Sequence, residues 1–272
     1  MSEPYLSRWR LRRDGPSIRT PHARLWPVLT ASGEAAMLKV STETEEQNGH
    51  RLLRWWNGDG AARLLAHDGP AILIERAHGD SLRQRSIKGE DDACTMILCQ
   101  VLQQLHRPRS APPEDLVCLR RWFADLLQPR APLPPLLEQC RSLAMALLED
   151  EQEIRPLHGD LHHDNVLDFG ARGWLAIDPK RLLGDRAFDY TTMFSNPDLC
   201  GPGIHVATRP ERFHARVEQV CRLADLERTR LLRWIAVSAG LSAVWFRDDG
   251  DPADIDEAVA VMAVQALAEA EA

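Results

Sequence analysis

A short polar segment in the second half of the chain constrains the fold more than any other feature. It runs from His158 to Asn165 with the sequence HGDLHHDN. Two apolar runs separated by a glycine-flanked turn follow it, which predicts a β-hairpin over 166–177. Asp178 comes directly after the second strand. Because a hairpin returns the chain to its starting point, we expect Asp160 to lie close to both Asn165 and Asp178.

These three side chains suit the transfer of a phosphoryl group. The reaction needs an acceptor hydroxyl in line with the phosphorus and a divalent metal between the phosphate oxygens. Asp160 can hold the hydroxyl and accept its proton, while Asn165 and Asp178 supply the oxygen ligands that magnesium prefers. The spacing matches the kinase pattern H-x-D-L-x-x-x-N followed by a metal-binding aspartate. We therefore predict a catalytic base at Asp160 and metal ligands at Asn165 and Asp178.

The chain is predicted to contain two regions of different secondary structure. In the first, apolar runs separated by turns predict a small antiparallel sheet, and a capping box at Thr42 predicts a helix over 43–56. In the second, helical periodicity dominates, as in the apolar stripe over 94–105. The predicted strands of the first region cover residues 25–29, 35–40, 63–66 and 71–75. We expect an α+β fold of two lobes, 1–77 and 78–272, with a cleft between them.

Lysine is scarce in this chain, so the position of each lysine is informative. The 33 basic residues include the lysines Lys39, Lys88 and Lys180. Lys39 ends the second predicted strand, and the run AMLK resembles the V-A-I-K strand of kinases, whose lysine binds the α- and β-phosphates. Glu46, in the first turn of the next predicted helix, is expected to pair with Lys39. A carboxylate there is also stabilised by the helix dipole alone, and this interpretation stays open.

The first lobe is also expected to supply the rest of a nucleotide site. Residues 20–24 lie between the first strands and would cover the phosphates, although they contain no glycine. The predicted hairpin leads into a lobe connection at Glu75–Ala77, whose backbone groups would bind adenine. The predicted cofactor-binding residues are thus Lys39, Glu46, Glu75 and Ala77.

The motifs together resemble those of the aminoglycoside phosphotransferase family of kinase-like enzymes. Within it, the sequence is most similar to the branch of streptomycin 6-phosphotransferases and hydroxyurea phosphotransferases. The resemblance extends from about Trp9 to the end of the chain. It is carried by LHGDLHHDNVL (157–167), GWLAIDPK (173–180) and GDRAFDY (184–190), with further likeness in WNGDG (56–60) and LSAVW (241–245).

This resemblance implies a two-lobed protein-kinase-like fold with a small antiparallel sheet lobe and a larger, mainly helical lobe. It implies ATP and Mg²⁺ as cosubstrates and a hydroxyl of a small molecule as acceptor, most readily a streptomycin-like aminoglycoside that loses its antibiotic activity. It also implies that Asp185 and Asp189 brace the catalytic loop from a helix start. We expect His158 to hold the loop backbone and His106 to be structural.

The acceptor site is expected in the second lobe. Its candidate residues are Asp164, Asn196, Asp198, Trp245 and Asp248. The acidic stretch over 248–257 would attract a cationic guanidinium substrate. The alternative is a solvated loop followed by a helix start that the dipole stabilises.

Composition narrows the partners and the cellular location. A net charge of −7 argues against nucleic-acid binding by the whole surface and is compatible with a cationic ligand. The six cysteines form no C-x-x-C pair, which indicates reduced cytosolic thiols. The uncharged apolar stretch Trp234–Phe246 is too short to span a bilayer, and no signal peptide is predicted. We expect a cytoplasmic monomer or weak dimer without membrane or nucleic-acid partners.

Three alternatives remain at this point. The first is a hydroxyurea kinase or other small-metabolite kinase of the same fold. The second is a nucleotide-binding module without turnover. The third is a metallohydrolase that uses a cluster of His158, Asp160, His162 and His163. A regulated protein kinase is disfavoured because Asp-Pro-Lys replaces D-F-G and Gly159 replaces the Arg of H-R-D.

Overall fold

The computed structural model describes residues 2–42, 49–79 and 81–271. Among these residues, the first lobe is a six-stranded antiparallel sheet in the order β1-β3-β4-β6-β5, with β2 beside β3. The strands are β1 (Arg12–Arg13), β2 (Ile18–Arg19), β3 (Ala23–Leu29), β4 (Ala35–Ser41), β5 (Leu64–Asp68) and β6 (Ala71–Glu75). The lobe also contains the helices α1 (Glu3–Arg8) and α2 (His50–Trp56). The predicted α+β fold with a small sheet lobe is confirmed.

The alternation of β4 decides which way Lys39 faces. Successive side chains of a strand point to opposite faces of its sheet. Ala36, Leu38 and Val40 enter the core that also contains Leu6 of α1. Met37 lies on the other face and packs against the core of the helical lobe. Lys39 shares this second face, so the strand period directs it toward the cleft.

The second lobe is mainly helical. Its helices are α3 (Leu82–Ile87), α4 (Asp91–Leu105), α5 (Leu119–Trp122), α6 (Ala124–Leu127), α7 (Pro135–Glu149), α8 (Pro210–Ala224), α9 (Arg228–Asp249) and α10 (Asp254–Glu271). α9 lies at the centre and contacts α7, α8 and α10. It contains the apolar stretch from Trp234, as predicted, and most of the side chains in that stretch are buried. No helix in the described part of the chain has the length and apolarity needed to cross a bilayer.

Short strands flank the segments of this lobe that contain Asp160, Asn165 and Asp178. They are β7 (Val117–Cys118), β8 (Ile154–Leu157), β9 (Val166–Asp168), β10 (Trp174–Ala176) and β11 (Leu182–Asp185). β9 and β10 form the predicted antiparallel hairpin. β11 pairs with β8 antiparallel and with β7 parallel. The residues after β8, after the hairpin and before β11 therefore meet at one place.

One hydrophobic core includes residues on both sides of the predicted lobe boundary. Leu53 and Trp56 of α2 pack in the same cluster as Leu102 of α4. The indole Nε1 of Trp56 donates to the carbonyl of Leu105 at 3.2 Å. α2 is thus attached to the helical lobe, and the division at residues 77 and 78 stays a prediction.

The first lobe contains two further predicted segments, the loop over 20–24 and the helix over 43–56. The predicted phosphate-covering loop 20–24 is shorter in the structure, because β3 begins at Ala23, two residues earlier than predicted. Thr20 closes the turn, with its backbone nitrogen donating to the carbonyl of Ala23 at 2.9 Å. The predicted helix over 43–56 is seen from His50, and its first residues, with Glu46, lie outside the described residues.

Candidate active site

Asp189 holds the loop that carries Asp160. The backbone nitrogens of His158 and Gly159 donate to its carboxylate at 2.9 and 2.7 Å, and the ring of His106 lies 2.8 Å from it. Burial favours a raised pKa for Asp189, but the hydrogen bond and charge of His106 outweigh burial and lower the pKa. The structural roles predicted for Asp189 and His106 fit these contacts.

Asp185 is placed differently from the expectation. Its carboxylate accepts a hydrogen bond from the backbone nitrogen of Ala187 at 2.8 Å and one from Arg230 Nε at 3.0 Å. It therefore caps the short helix that follows it and ties that helix to α9. Among its hydrogen bonds in the described structure, none reaches the catalytic loop, because the carboxylate is already engaged by Ala187, Arg230 and the nitrogen of Gln152.

His158 is a buried, neutral part of the scaffold. Its Nε2 lies 2.7 Å from the carbonyl oxygen of Ile177, and its Nδ1 lies 3.3 Å from the backbone nitrogen of Asp160. Because a carbonyl only accepts, Nε2 carries the proton and Nδ1 accepts from Asp160. Burial lowers the pKa of His158, which is consistent with a neutral ring. His158 thus links the loop to the end of the hairpin, as the sequence predicted.

Gly159 is required by both conformation and space. Its φ is +79°, in the left-handed region that favours glycine. A Cβ atom at this position would lie 2.7 Å from Leu182 Cδ1 and 3.2 Å from Lys180 Cβ. The arginine that protein kinases place here cannot fit against β11, which gives a physical reason for the departure from H-R-D.

Asp160 lies in a polar environment formed by three other side chains. Asn165 Nδ2 donates to the backbone oxygen of Asp160 at 2.7 Å and lies 3.5 Å from its Oδ2. Lys180 Nζ lies 3.7 Å from Oδ2, and His162 Nε2 lies 3.8 Å from Oδ1. The Asp160 side chain is 32% exposed, so its carboxylate reaches the cleft. An acceptor hydroxyl can approach it there.

Asp178 meets Lys39 across the cleft between the lobes. Their atoms Oδ2 and Nζ are 2.9 Å apart, and Lys39 is 4% exposed. Asp178 has a φ of +57°, which turns the chain sharply after β10. The nitrogen of Ile177 donates to the carbonyl of Asn165 at 2.9 Å, so the two ends of the hairpin are tied together. The expected convergence of these residues is what the structure shows.

The side chains at this position fit a magnesium ion bound mainly by phosphate and water. Asn165 uses its Nδ2 to bind Asp160, which leaves its Oδ1 as the acceptor for a cation. Asp178 adds a carboxylate, and magnesium commonly takes only one or two protein oxygens beside substrate phosphates. No cluster of three or more His, Cys, Asp and Glu residues suited to a metal occurs among the described residues.

The metallohydrolase alternative does not fit this geometry. His158 is engaged with Ile177 and with the backbone of Asp160. His163 is fully buried and lies 3.8 Å from Asp91, on the side of the loop that packs against α4. Burial lowers the pKa of His163 to about 4. The histidines of the loop therefore do not converge on one ion.

The lobe connection is fixed by Glu75 and its neighbours. The Glu75 carboxylate accepts from the nitrogen of Arg63 at 2.7 Å and pairs with Arg172. The next turn is anchored by His78, whose nitrogen donates to the carbonyl of Asp168 at 2.8 Å. Among the described residues, the Ala77 nitrogen donates no backbone hydrogen bond.

Two of the predicted substrate residues are buried, and the protein engages the whole carboxylate of one and the amide nitrogen of the other. Asp198 is buried, and its carboxylate accepts bonds from the nitrogens of Val206, Ala207 and Thr208 and from the Thr208 hydroxyl. These bonds correct the prediction, because Asp198 stabilises its own loop and has no oxygen left for a substrate. Asn196 is also buried, and its Nδ2 donates to the carbonyl of Thr192 at 2.9 Å.

The other three candidates are less constrained. Asp164 accepts from the Ser81 hydroxyl at 2.7 Å and lies 3.2 Å from Arg83, so it fastens the catalytic loop to the start of α3. Trp245 Nε1 donates to Asp125 at 2.9 Å, and Asp248 lies 3.7 Å from Arg130. The structure does not bring these two residues of α9 into contact with Asp160.

Sequence reasoning missed a buried ion-pair network behind the loop. Arg216 of α8, which is 1% exposed, binds Asp91 through two nitrogens and also donates to the carbonyls of Met193 and Asn196. Burial favours a raised pKa for Asp91, but the neighbouring His163 ring and the hydrogen bonds and charge of Arg216 outweigh burial and lower the pKa. Asp91 precedes the apolar stripe over 94–105, where a carboxylate is usually exposed, so spacing along the chain carried no signal for this buried pair.

Comparison with known proteins agrees with this geometry. A solved aminoglycoside phosphotransferase mutant, in ternary complex with ADP and hygromycin B, matches with a TM-score of 0.64, 12% identity and coverage of 96% of this chain and 97% of that one. This likeness shows the protein-kinase-like fold. Fold and site together define a small-molecule kinase that transfers a phosphoryl group to a hydroxyl.

The sequence comparisons identify the family. The family model described as aminoglycoside/hydroxyurea antibiotic resistance kinase matches residues 8–250, and the chain belongs to this family. A streptomycin 3''-kinase from Klebsiella pneumoniae is 48% identical over 96% of this chain and 100% of its own length. A streptomycin 6-kinase from Streptomyces griseus is 31% identical over 94% of this chain and 85% of its own length. The predicted family membership is confirmed.

Proposed function

We propose that this chain transfers the γ-phosphoryl group of ATP, with Mg²⁺, to the 3''-hydroxyl of streptomycin. The hydroxyl oxygen forms the new bond to the γ-phosphorus as the bond from phosphorus to the β–γ bridging oxygen breaks. The bridging oxygen keeps the electron pair and leaves with ADP, and the hydroxyl proton passes to the Asp160 carboxylate. The phosphorylated product would no longer act as an antibiotic.

The arrangement of Asp160 opposite the Lys39–Asp178 pair carries this proposal. Asp160 faces the cleft from the helical lobe, and Lys39 reaches it from the sheet. Asn165 and Asp178 would hold Mg²⁺, which neutralises charge on the phosphates, and Lys39 would bind the α- and β-phosphates. Glu46 would hold Lys39, and the backbone at Glu75 and Ala77 would bind adenine.

The choice of acceptor is supported by the relatives. The relative named streptomycin 3''-kinase shares 48% of its residues with this chain over its whole length, against 31% for the Streptomyces griseus 6-kinase. The 3''-hydroxyl is therefore favoured over the 6-hydroxyl. The net charge of −7 suits a cationic acceptor. Asp164, Asn196, Trp245 and Asp248 remain candidate acceptor contacts.

We expect the protein to act in the cytoplasm, because ATP is supplied there. We also expect it to be a monomer or weak dimer.

Mass spectrometry of the reaction products tests the proposal. The purified protein is incubated with Mg·ATP and, separately, streptomycin, hygromycin B and hydroxyurea. We expect one added phosphoryl group on streptomycin and none with Asp160→Asn, which should still bind Mg·ADP. Because the base contributes about 10² to 10⁴ to the rate, the variant should lose at least that factor.

The outcomes separate the alternatives. Phosphorylated hydroxyurea in place of streptomycin would show that the chain acts as a small-metabolite kinase, an activity that the family description also names. Nucleotide binding without any product would mean that the acceptor is a different molecule, or that the chain is a binding module without turnover. If streptomycin is phosphorylated, a proton–phosphorus correlation NMR spectrum of the product assigns the hydroxyl, and a phosphate on the 6-hydroxyl would contradict the proposed position.

A further inference from the structure

Lys180 lies beside the catalytic base, where no motif predicted a cation. Its Nζ is 3.7 Å from Asp160 Oδ2, and its side chain is 24% exposed. Lys180 also lines a small cavity together with Lys39 and Asp178. The cavity thus has two lysines at different places, one paired with the metal-binding aspartate and one beside the base.

The backbone of Lys180 is fixed by its neighbours, while its side chain is partly exposed. The nitrogen of Lys180 donates to the carbonyl of His158 at 2.7 Å, which fastens it to the catalytic loop. Asp178 and Arg181, on either side, both have positive φ angles, of 57° and 61°. A Cβ on Gly159 would approach Lys180 Cβ to 3.2 Å, so the two backbones pack closely. Only the long end of the lysine can respond to a ligand.

Lys180 can reduce a charge repulsion at Asp160 that Lys39 does not reduce. During transfer, the γ-phosphoryl group lies between the leaving diphosphate and the acceptor hydroxyl, which Asp160 holds. The carboxylate of Asp160 and the phosphoryl oxygens are both anionic and repel each other. A cation between them reduces this repulsion and stabilises charge on the equatorial oxygens. Lys180 is placed beside Asp160, whereas Lys39 pairs with Asp178.

We propose that Lys180 binds an oxygen of the γ-phosphoryl group and neutralises it next to Asp160. This inference rests on the proposed use of ATP but not on the identity of the acceptor. It assigns the α- and β-phosphates to Lys39 and the transferred group to Lys180. Lys180 then distinguishes a nucleoside triphosphate from a diphosphate.

Calorimetric titration of Lys180→Met with Mg·AMP-PNP and Mg·ADP tests this role. Loss of the lysine should weaken Mg·AMP-PNP binding by about tenfold, as expected for one charge-assisted contact. Mg·ADP, which lacks the γ-phosphoryl group, should bind within about twofold of the unmodified protein. In steady-state assays kcat should fall by about 100-fold, while KM for the acceptor changes little, because the contact is to the transferred group and strengthens further in the transition state.

Three further variants control the experiment. Lys88→Met removes an exposed lysine at the end of α3 and should change neither affinity. Lys180→Gln repeats the loss of charge with a polar side chain, and a thermal melt of each variant confirms folding. Lys180→Arg keeps a cation and should retain most of the preference for Mg·AMP-PNP over Mg·ADP.

The ratio of the two affinities decides the question. Lys180→Met and Lys180→Gln could weaken the binding of Mg·AMP-PNP and Mg·ADP equally, or leave both affinities unchanged. Either result would show that Lys180 does not bind the γ-phosphoryl group. A fall in kcat with an unchanged affinity ratio would show that Lys180 only positions Asp160, and would overturn the proposal. The two nucleotide affinities can be measured without streptomycin. A failed acceptor assay with a lowered ratio would therefore reject the proposed substrate and retain the assignment of Lys180.

Discussion

Asp189 Oδ1 accepts a hydrogen bond from the backbone nitrogen of Gly159 at 2.7 Å, and this bond joins residues 30 positions apart in the chain. The other carboxylate oxygen accepts from His158 and approaches His106. The position of Asp160 is thus set by a buried carboxylate that does not itself face the cleft. An enzyme that needs its base aligned within a fraction of an ångström depends on such support.

Asp189→Ala should damage both stability and turnover. It removes a buried carboxylate and leaves two amide donors and His106 without their partner, so we expect a loss of about 3 kcal/mol in the free energy of unfolding. Turnover should fall by at least about tenfold in the protein that remains folded. Urea unfolding followed by tryptophan fluorescence measures the first effect. Asp249→Ala, which removes an exposed carboxylate at the end of α9, should change stability by less than about 0.5 kcal/mol.

Gly159→Ala and Gly173→Ala form a matched pair. Both glycines have positive φ, at 79° and 75°, but a Cβ would clash with Leu182 only at Gly159 and would meet nothing within 4 Å at Gly173. We expect a cost of about 1 kcal/mol at Gly173 from backbone strain and about 2 to 4 kcal/mol at Gly159 from strain plus overpacking. Thermal or urea denaturation compares them. Equal costs would show that β11 yields to the added methyl group.

Lys39→Met should weaken binding of every adenine nucleotide that carries α- and β-phosphates. The change removes a buried cation that pairs with Asp178 at 2.9 Å. We expect Mg·ADP affinity to fall by about tenfold and kcat by about 100-fold. Lys180→Met, by contrast, should leave the affinity for Mg·ADP nearly unchanged. Unchanged Mg·ADP binding in titrations of Lys39→Met would contradict the role assigned to Lys39.

The buried carboxyl group of Asp256 should make the stability of the folded protein depend on pH. It is buried between α9 and the loop at Ser195, and burial raises its pKa to about 6, although hydrogen bonds from the Ser195 and Ser242 hydroxyls act in the opposite direction. The folded protein therefore holds this proton more tightly than the unfolded chain, whose aspartates titrate near pH 4. The stabilisation from the protonated group is complete below about pH 4 and is lost as pH rises to about 6.

Asp256→Asn isolates this contribution. The amide cannot ionise, and it can accept from one serine and donate to the other. Relative to the unmodified protein, the variant should gain about 2 to 3 kcal/mol of stability between pH 4 and pH 8, since each pKa unit corresponds to about 1.4 kcal/mol. Urea midpoints at the two pH values measure the difference. The same pH slope in both proteins would show that Asp256 does not titrate in this range.

Local patterns in the sequence were sufficient for several elements and for the choice of the candidate catalytic residues. The hairpin over 166–177 had to return Asp178 to Asn165, since turn glycines and alternating apolar residues leave few other conformations. The place of Lys39 near the end of β4 followed from an apolar run bounded by polar residues. Acceptor contacts were harder to predict, and Asp198 shows why. An aspartate in a loop has the same sequence appearance whether its oxygens face a ligand or the nitrogens of its own loop.

The sequence by itself determined the sheet-rich and helical regions, the kinase-like loop at Asp160 and the hairpin that returns the chain from Asn165 to Asp178, because these depend on periodicity, turns and short spacings. Tertiary structure alone decided what supports and surrounds them. Asp189 beneath Gly159, Arg216 against Asp91 and Lys180 beside Asp160 become partners only when β8, β11, α4 and α8 pack. Such contacts depend on side-chain directions across packed elements, and spacing along the chain does not encode those directions.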